Sequence, residues 1–137
     1  SEPTYEEKRA AAAASSVERR PVAEAAFPLS MALQACPDIT DYARGGIAHW
    51  RDFLAAASVA RAALGISPTA YEDARTAMGE RGAAIAVAAI LQRGAAIRSP
   101  GGYLRELARK AEAGQFSLSP MLMALVAARN RKAEAAA

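Results

Sequence analysis

The chain has 137 residues, a length that fits one domain with a modest core. Hydrophobic residues make up 53% of it and aromatic residues only 6%, and alanine supplies much of the apolar content, which favours helices over strands. The formal net charge is +3, but residues 93–137 hold 8 Lys and Arg against 3 Asp and Glu, so the basic part is C-terminal and fits a polyanionic partner.

The same composition argues against secretion and membrane insertion. Cys36 is the only cysteine, so an internal disulfide is excluded and an oxidising compartment is not indicated. The longest apolar run, residues 83–91, is too short to span a bilayer, and the acidic start lacks the apolar core of a signal peptide. We therefore expect a cytoplasmic protein. The start at Ser1, without methionine, predicts a fragment of a longer protein or a processed chain.

Residues 1–27 are charged and alanine-rich without a usable apolar face, so they are predicted to be a flexible linker, disordered or frayed. Helical spacing and breaker residues then predict that residues 28–130 form an all-α domain, a compact bundle of about five to six short helices. The predicted helices are 28–36, 47–64, 67–79, 80–93, 99–114 and one that begins at Ser119-Pro120, with a loop at 38–46. The fourth is apolar nearly all round, which predicts the buried central helix. Residues 131–137 are predicted to be a basic, alanine-rich tail.

Residues suited to enzymatic chemistry are scarce. His49 is the only histidine, which excludes a histidine-based metal cluster and a catalytic triad and leaves a structural or surface role. Cys36 precedes a proline and is predicted to be a buried thiol. Two acidic pairs fit helix capping and helix-dipole roles better than acid–base catalysis. These pairs are Asp38 with Asp41 and Glu72 with Asp73. The sequence therefore predicts no enzymatic activity, no metal and no cofactor.

The most distinctive local pattern is the start of the fifth predicted helix, Ser99-Pro100-Gly101-Gly102. Serine is a good N-cap and proline suits the first helical position, whereas each glycine in the first turn costs about 1 kcal/mol relative to alanine. Two explanations remain open. The glycines either leave backbone N–H groups open to an anion, or they permit close packing against another helix.

Cations surround this helix start. Arg98 precedes it, and Arg105 and Arg109 lie one turn apart on one face with Lys110 beside them. Such a stripe fits non-specific contacts with nucleic-acid phosphates, although glutamates such as Glu106 could instead pair with the arginines on a solvated face. The candidate nucleic-acid-binding residues are Arg98, Ser99, Gly101, Gly102, Tyr103, Arg105, Arg109 and Lys110.

Most aromatic side chains recur at helical spacing among alanines, which predicts core packing. Tyr103 is the exception, because it lies among arginines beside the helix start and could stack on a base. An alternative of a different class is a protein-interaction module, in which residues 121–123 or the face around Trp50 bind a partner or a second copy. Gly101 and Gly102 would then serve helix packing.

Two long blocks make the chain recognisable beyond its composition. Residues 97–105 read Ile-Arg-Ser-Pro-Gly-Gly-Tyr-Leu-Arg, and residues 110–125 read Lys-Ala-Glu-Ala-Gly-Gln-Phe-Ser-Leu-Ser-Pro-Met-Leu-Met-Ala-Leu. Shorter blocks lie upstream at 36–39, 41–42, 50–52, 64–68 and 88–93. Over about residues 29–128 the chain resembles the C-terminal domain of RepC, the replication initiator of the RepABC plasmids of alphaproteobacteria.

The resemblance implies a role in initiating plasmid replication at an origin. RepC-like proteins have a winged-helix DNA-binding domain at their N-terminal end, and origin-specific recognition is attributed mainly to that domain. It is absent from this sequence, so origin binding is not carried onto these residues. The resemblance leaves them auxiliary contact with plasmid DNA, self-association, or docking of host replication proteins, with residues 1–27 as the interdomain linker.

Overall fold

A computed structural model describes residues 27–137, and every regular element in that range is helical. The α-helices are α1 (Leu29–Ala35), α2 (Trp50–Ala63), α3 (Pro68–Arg93), α4 (Pro100–Glu112) and α5 (Leu118–Ala136). Two short 3-10 helices, Pro37–Tyr42 and Gly94–Ala96, follow α1 and α3. The predicted all-α fold class is therefore confirmed.

The C-terminal half of α3 forms the centre of the bundle. Every residue from Gly82 to Ile90 is buried, and α2, α4, α5 and the first 3-10 helix all pack against α3. Alanine makes this arrangement possible, because its short side chain lets neighbouring helices approach closely while apolar surface is still removed from water. The buried central helix predicted over 80–93 is confirmed.

A break at Gly79 separates the two halves of α3, in agreement with the two predicted helices 67–79 and 80–93. Gly79 has φ 82° and ψ 166°, a backbone conformation open almost only to glycine. Ser67 caps the first half by accepting the N–H of Ala70 at 3.1 Å. The break lets residues 82–90 enter the core while the first half keeps exposed charged residues such as Glu72.

The segment predicted as a loop at 38–46 contains a helical element. Residues Pro37–Tyr42 form a 3-10 helix, because proline suits a helix start and Ile39 provides a fully buried anchor. The prediction missed it because one buried apolar residue in six gives no periodic signal.

The start of α5 also differs from the prediction. Ser117, not Ser119, provides the cap by accepting the N–H of Ser119 at 3.3 Å, and Leu118 is fully buried as the first helical residue. Pro120 then occupies the third helical position. Its missing N–H is tolerated there, because first-turn N–H groups have no intrahelical partner.

The two ends of the chain differ in what the structure describes. The predicted linker, residues 1–27, lies outside the described residues except for Phe27, which is buried. The predicted tail, residues 131–137, is the exposed end of α5. Before it, Arg129 donates to the carbonyl of Gln34 near the end of α1 and so ties α5 to α1.

Asp52 determines where α2 begins. Its carboxylate accepts the backbone N–H groups of Ala48 and His49, each at 3.0 Å, so the helix starts at Trp50 and not at the predicted Ile47. The hydrogen bond from Ala48, followed by that from His49, holds the pKa of Asp52 below its ordinary value of 3.8.

Acid should therefore weaken this helix start. Because the folded-state pKa of Asp52 is lowered, its stabilisation is present above pH 3.8 and is lost as the pH falls through the folded-state pKa. We expect Asp52→Asn to lower the Tm at about pH 7, and the difference from wild type to shrink as the pH is lowered to about 2. Thermal unfolding followed by circular dichroism measures this, with Asp41→Asn, at an exposed position of the first 3-10 helix, as the control. A Tm difference between Asp52→Asn and wild type that is constant over this pH range would contradict the assignment.

Candidate nucleic-acid interface

A local cap closes the start of α4. The Oγ of Ser99 accepts the N–H of Gly102 at 3.2 Å, and the Ser99 carbonyl accepts the N–H of Tyr103 at 2.8 Å. Pro100 has no N–H, so within the described residues Gly101 holds the one N–H of this first turn that makes no hydrogen bond. The Gly102 amide, predicted to contact phosphate, is already bonded to the serine cap.

The two glycines have different local explanations. A Cβ on Gly102 would lie 2.9 Å from the Ser99 Oγ, so a side chain there would displace the capping hydroxyl. A Cβ on Gly101 would lie 4.0 Å from the Cα of Ile66, which is an ordinary van der Waals distance. The helix start thus lies against the connection between α2 and α3. Capping accounts for Gly102, and neither glycine requires a bound phosphate to explain it.

Two of the predicted cations have carboxylate partners. Arg109 donates from Nε and Nη2 to the two carboxylate oxygens of Glu106, and this hydrogen bonding lowers the pKa of Glu106. Arg105 lies 3.7 Å from the carboxylate of Asp73 on α3. All four side chains are at least half exposed, and exposed ion pairs contribute little to stability because water screens them. A phosphate can therefore compete for both arginines.

The other two predicted cations, Arg98 and Lys110, are exposed and make no ion pair within residues 27–137. Arg98 lies two residues before α4 and Lys110 lies in its last turn, so the stretch from Pro100 to Lys110, about 15 Å of helix axis, separates them. Together with the two exchangeable arginines they form the α4 cation set, defined as Arg98, Arg105, Arg109 and Lys110.

Tyr103 is half-buried, and an arginine absent from the predicted set contacts it. Arg93 donates from Nη1 to the Tyr103 hydroxyl at 2.9 Å, and its guanidinium carbon lies 5.6 Å from the ring centroid. Arg93 ends α3, and the short connection 94–99 brings the start of α4 back against it. The sequence offered one signal for this contact, a helix-ending arginine followed by a connection of only six residues.

The remaining predicted groups have structural surroundings. Cys36 is fully buried, and burial, with a smaller effect of Asp38, raises the pKa of its thiol to about 12, which leaves it unreactive. His49 is exposed just before α2. Within residues 27–137, no three His, Cys, Asp or Glu side chains come together as a metal site. None of the helices in that range combines the length and apolar character that crossing a membrane requires.

The candidate protein-interaction surfaces are mostly covered. Trp50 packs edge to face on Phe53, with ring centroids 5.2 Å apart, and the guanidinium of Arg81 lies 4.9 Å from the Trp50 ring. On α5, Leu122 is buried and Met123 is 43% exposed. The patch at 121–123 therefore offers one well-exposed apolar side chain and not a continuous surface.

Comparison with known proteins assigns these elements to a family. Residues 28–128 match the family model described as the replication protein C C-terminal region. A relative from Rhizobium rhizogenes that carries the name of replication protein C is 57% identical over 104 residues, which cover 75% of this chain and 26% of the relative. A second relative of that name, from Sinorhizobium fredii (strain NBRC 101917 / NGR234), is 52% identical over the same shares of both chains. The chain spans about a quarter of the length of these curated relatives. No solved structure matches it.

Proposed function

Because the chain belongs to the family of replication protein C C-terminal regions, we propose that it is the C-terminal domain of a plasmid replication initiator. In this role it supports origin-dependent DNA replication in the cytoplasm through non-specific contacts with the DNA backbone, without a catalytic step of its own. The observation that carries the proposal is the α4 cation set, in which Arg98 and Lys110 have no acidic partner among the described residues.

Phosphate contacts fit this arrangement better than base reading. α4 contains no asparagine or glutamine, the side chains that pair with adenine edges. The exposed cations of the α4 cation set flank about 15 Å of helix axis and can follow a phosphate backbone. The Arg105 and Arg109 pairs are exposed, so DNA phosphates can replace their carboxylate partners at small cost.

Binding to a duplex of mixed sequence tests the proposal. Fluorescence anisotropy with the whole chain should show an affinity that falls steeply between about 50 and 200 mM salt, because each neutralised phosphate adds about 0.9 to the slope of log K against log salt. The double variant Arg98→Gln/Lys110→Gln is expected to weaken binding about ten-fold and to reduce this slope by about 2.

A charge-matched variant controls for the general loss of positive charge. Arg44→Gln/Arg51→Gln also removes two exposed cations, but both precede or begin α2, which does not belong to the α4 cation set. The affinity of this control variant for the duplex should stay within about two-fold of the wild-type affinity at each salt concentration. The proposal would be contradicted if the wild-type chain does not bind the duplex at low salt, or if the two double variants lose the same amount of duplex affinity.

A protein-interaction module without DNA contact is the second candidate function. It would dimerise or dock host replication proteins, and its support is the 43% exposure of Met123 on α5. Sedimentation velocity distinguishes the two functions. A stable dimer that Met123→Gln dissociates, in a protein without affinity for DNA, would favour this candidate.

A further inference from the structure

An open groove of about 520 Å³ lies between the first turn of α4 and one face of α5. Tyr103 lines it from α4, Arg93 from the end of α3, and Met121, Ala124 and Leu125 from α5. α4 and α5 both pack on α3, and Ala124 contributes only a methyl group, so the space between the two helices is left unfilled.

The groove has mostly apolar walls, and the charge at its lining is positive. Among residues 27–137, Arg93 is the only charged residue that lines it, and no carboxylate of that range takes part. The hydrogen bond at 2.9 Å and the 5.6 Å approach hold the Arg93 guanidinium beside the Tyr103 ring. Farther along α5, Lys132 lies one turn beyond Ala128, another lining residue, on the same helix face. A ligand that matches this groove has a flat apolar part next to a negative charge.

We infer that the groove binds an unstacked base of single-stranded DNA, with the neighbouring phosphates beside Arg93 and Lys132. The inference rests on the proposed DNA contact and extends it from the backbone to a base. Proteins hold single strands by combining a positively charged groove with aromatic stacking, and a duplex cannot use such a groove because its bases stay stacked. The volume of about 520 Å³ lies within the range of small-ligand sites, about 300–1,000 Å³. An acidic peptide would also meet Arg93, but the groove pairs this cation with the aromatic ring of Tyr103, which is the combination that binds a nucleic-acid base and its phosphate.

The ratio of single-strand to duplex affinity tests this inference. The probes are a thymidine oligonucleotide of about 12 residues and a mixed-sequence duplex of equal length, each titrated with the whole chain at low salt. Ala124→Leu narrows the groove and is expected to lower the affinity ratio about ten-fold, as expected for the loss of one stacked base. Ala133→Leu places the same side chain at an exposed position of the same helix and should leave both affinities at the wild-type level.

Cross-linking locates the base directly and does not depend on a folded variant. Irradiation of a bound single strand that carries 5-iodouracil should attach it to Tyr103, identified by peptide mass spectrometry, and excess unlabelled single strand should suppress the product. Tyr103→Leu should lower the affinity for single-stranded DNA, whereas Tyr103→Phe, which keeps the ring, should have a single-strand affinity close to that of wild type. If the wild-type chain binds the duplex but Ala124→Leu has the same ratio of single-strand to duplex affinity as wild type, the groove assignment is overturned. The proposed function would still stand in that case. If the wild-type chain binds neither the single strand nor the duplex, both the groove assignment and the proposed function are overturned. If Ala124→Leu changes only self-association, the groove binds a second copy of the chain, which would overturn the inference.

Discussion

Replacing Phe53 with alanine is expected to destabilise the domain by about 3–5 kcal/mol, the cost of emptying a buried aromatic site. Phe53 is fully buried on α2, and its ring meets that of Trp50 edge to face at 5.2 Å. Much of the surrounding core is alanine, whose short side chains cannot extend into the cavity. Because a domain of this kind is stable by only about 5–15 kcal/mol, the variant should unfold at a much lower urea concentration.

A matched variant on the same helix separates this packing effect from any effect on helix propensity. Val59 is 54% exposed, so Val59→Ala should change the free energy of unfolding by no more than about 0.5 kcal/mol. Urea denaturation of both variants, followed by circular dichroism, measures the difference. A loss below about 1 kcal/mol for Phe53→Ala would show that the ring does not anchor the core as the structure places it.

Replacing Gly79 with alanine should cost about 1–3 kcal/mol, although the new side chain is only a methyl group. The reason is the backbone, because φ 82° with ψ 166° is nearly inaccessible to residues with a Cβ. An alanine at this position must either accept the strain or change the break between the halves of α3. Since the second half is the centre of the core, either outcome should lower the urea midpoint.

Gly45→Ala is the control for this prediction. Gly45 does not have positive φ, and a Cβ added there would meet nothing within 4 Å. This substitution should therefore be neutral or stabilise the protein by about 0.4–1 kcal/mol, through a smaller conformational entropy of the unfolded chain. Equal urea midpoints for the two alanine variants would be incompatible with a strained, glycine-dependent break at Gly79.

The helices were predictable where their signals are local. The Ser67-Pro68 and Ser99-Pro100 starts cap α3 and α4 as expected, because an N-cap acts on N–H groups only two or three residues away. The apolar run at 83–91 predicts burial on all sides for the same reason, since it needs no partner to be recognised. Prediction was wrong at the start of α5, where the Ser119-Pro120 pair gives the local start signal, but the helix begins at the buried Leu118 with Ser117 as its cap.

The candidate site was predictable in composition but not in pairing. The sequence shows which residues form the α4 cation set. It also allowed for pairing of Arg109 with Glu106 on a solvated face, because the two residues lie three positions apart on one helix. The contact of Arg105 with Asp73 joins residues from two different helices, so no local pattern indicates it. The Tyr103–Arg93 contact could not be predicted without knowing how the connection between α3 and α4 runs, because that connection places Tyr103 beside Arg93.

By itself, the sequence determined that this is an alanine-rich helical domain with a basic C-terminal third and a serine-capped start of α4, and its long blocks determined the family resemblance. Periodicity, capping and charge act within a few residues, which is why they can be read without a fold. Only the tertiary structure decided that Arg105 contacts Asp73, that Arg98 and Lys110 are the members of the α4 cation set without acidic partners among the described residues, and that Tyr103 faces an open groove. These properties depend on how α3, α4 and α5 pack together, and packing brings into contact residues that lie far apart in the sequence.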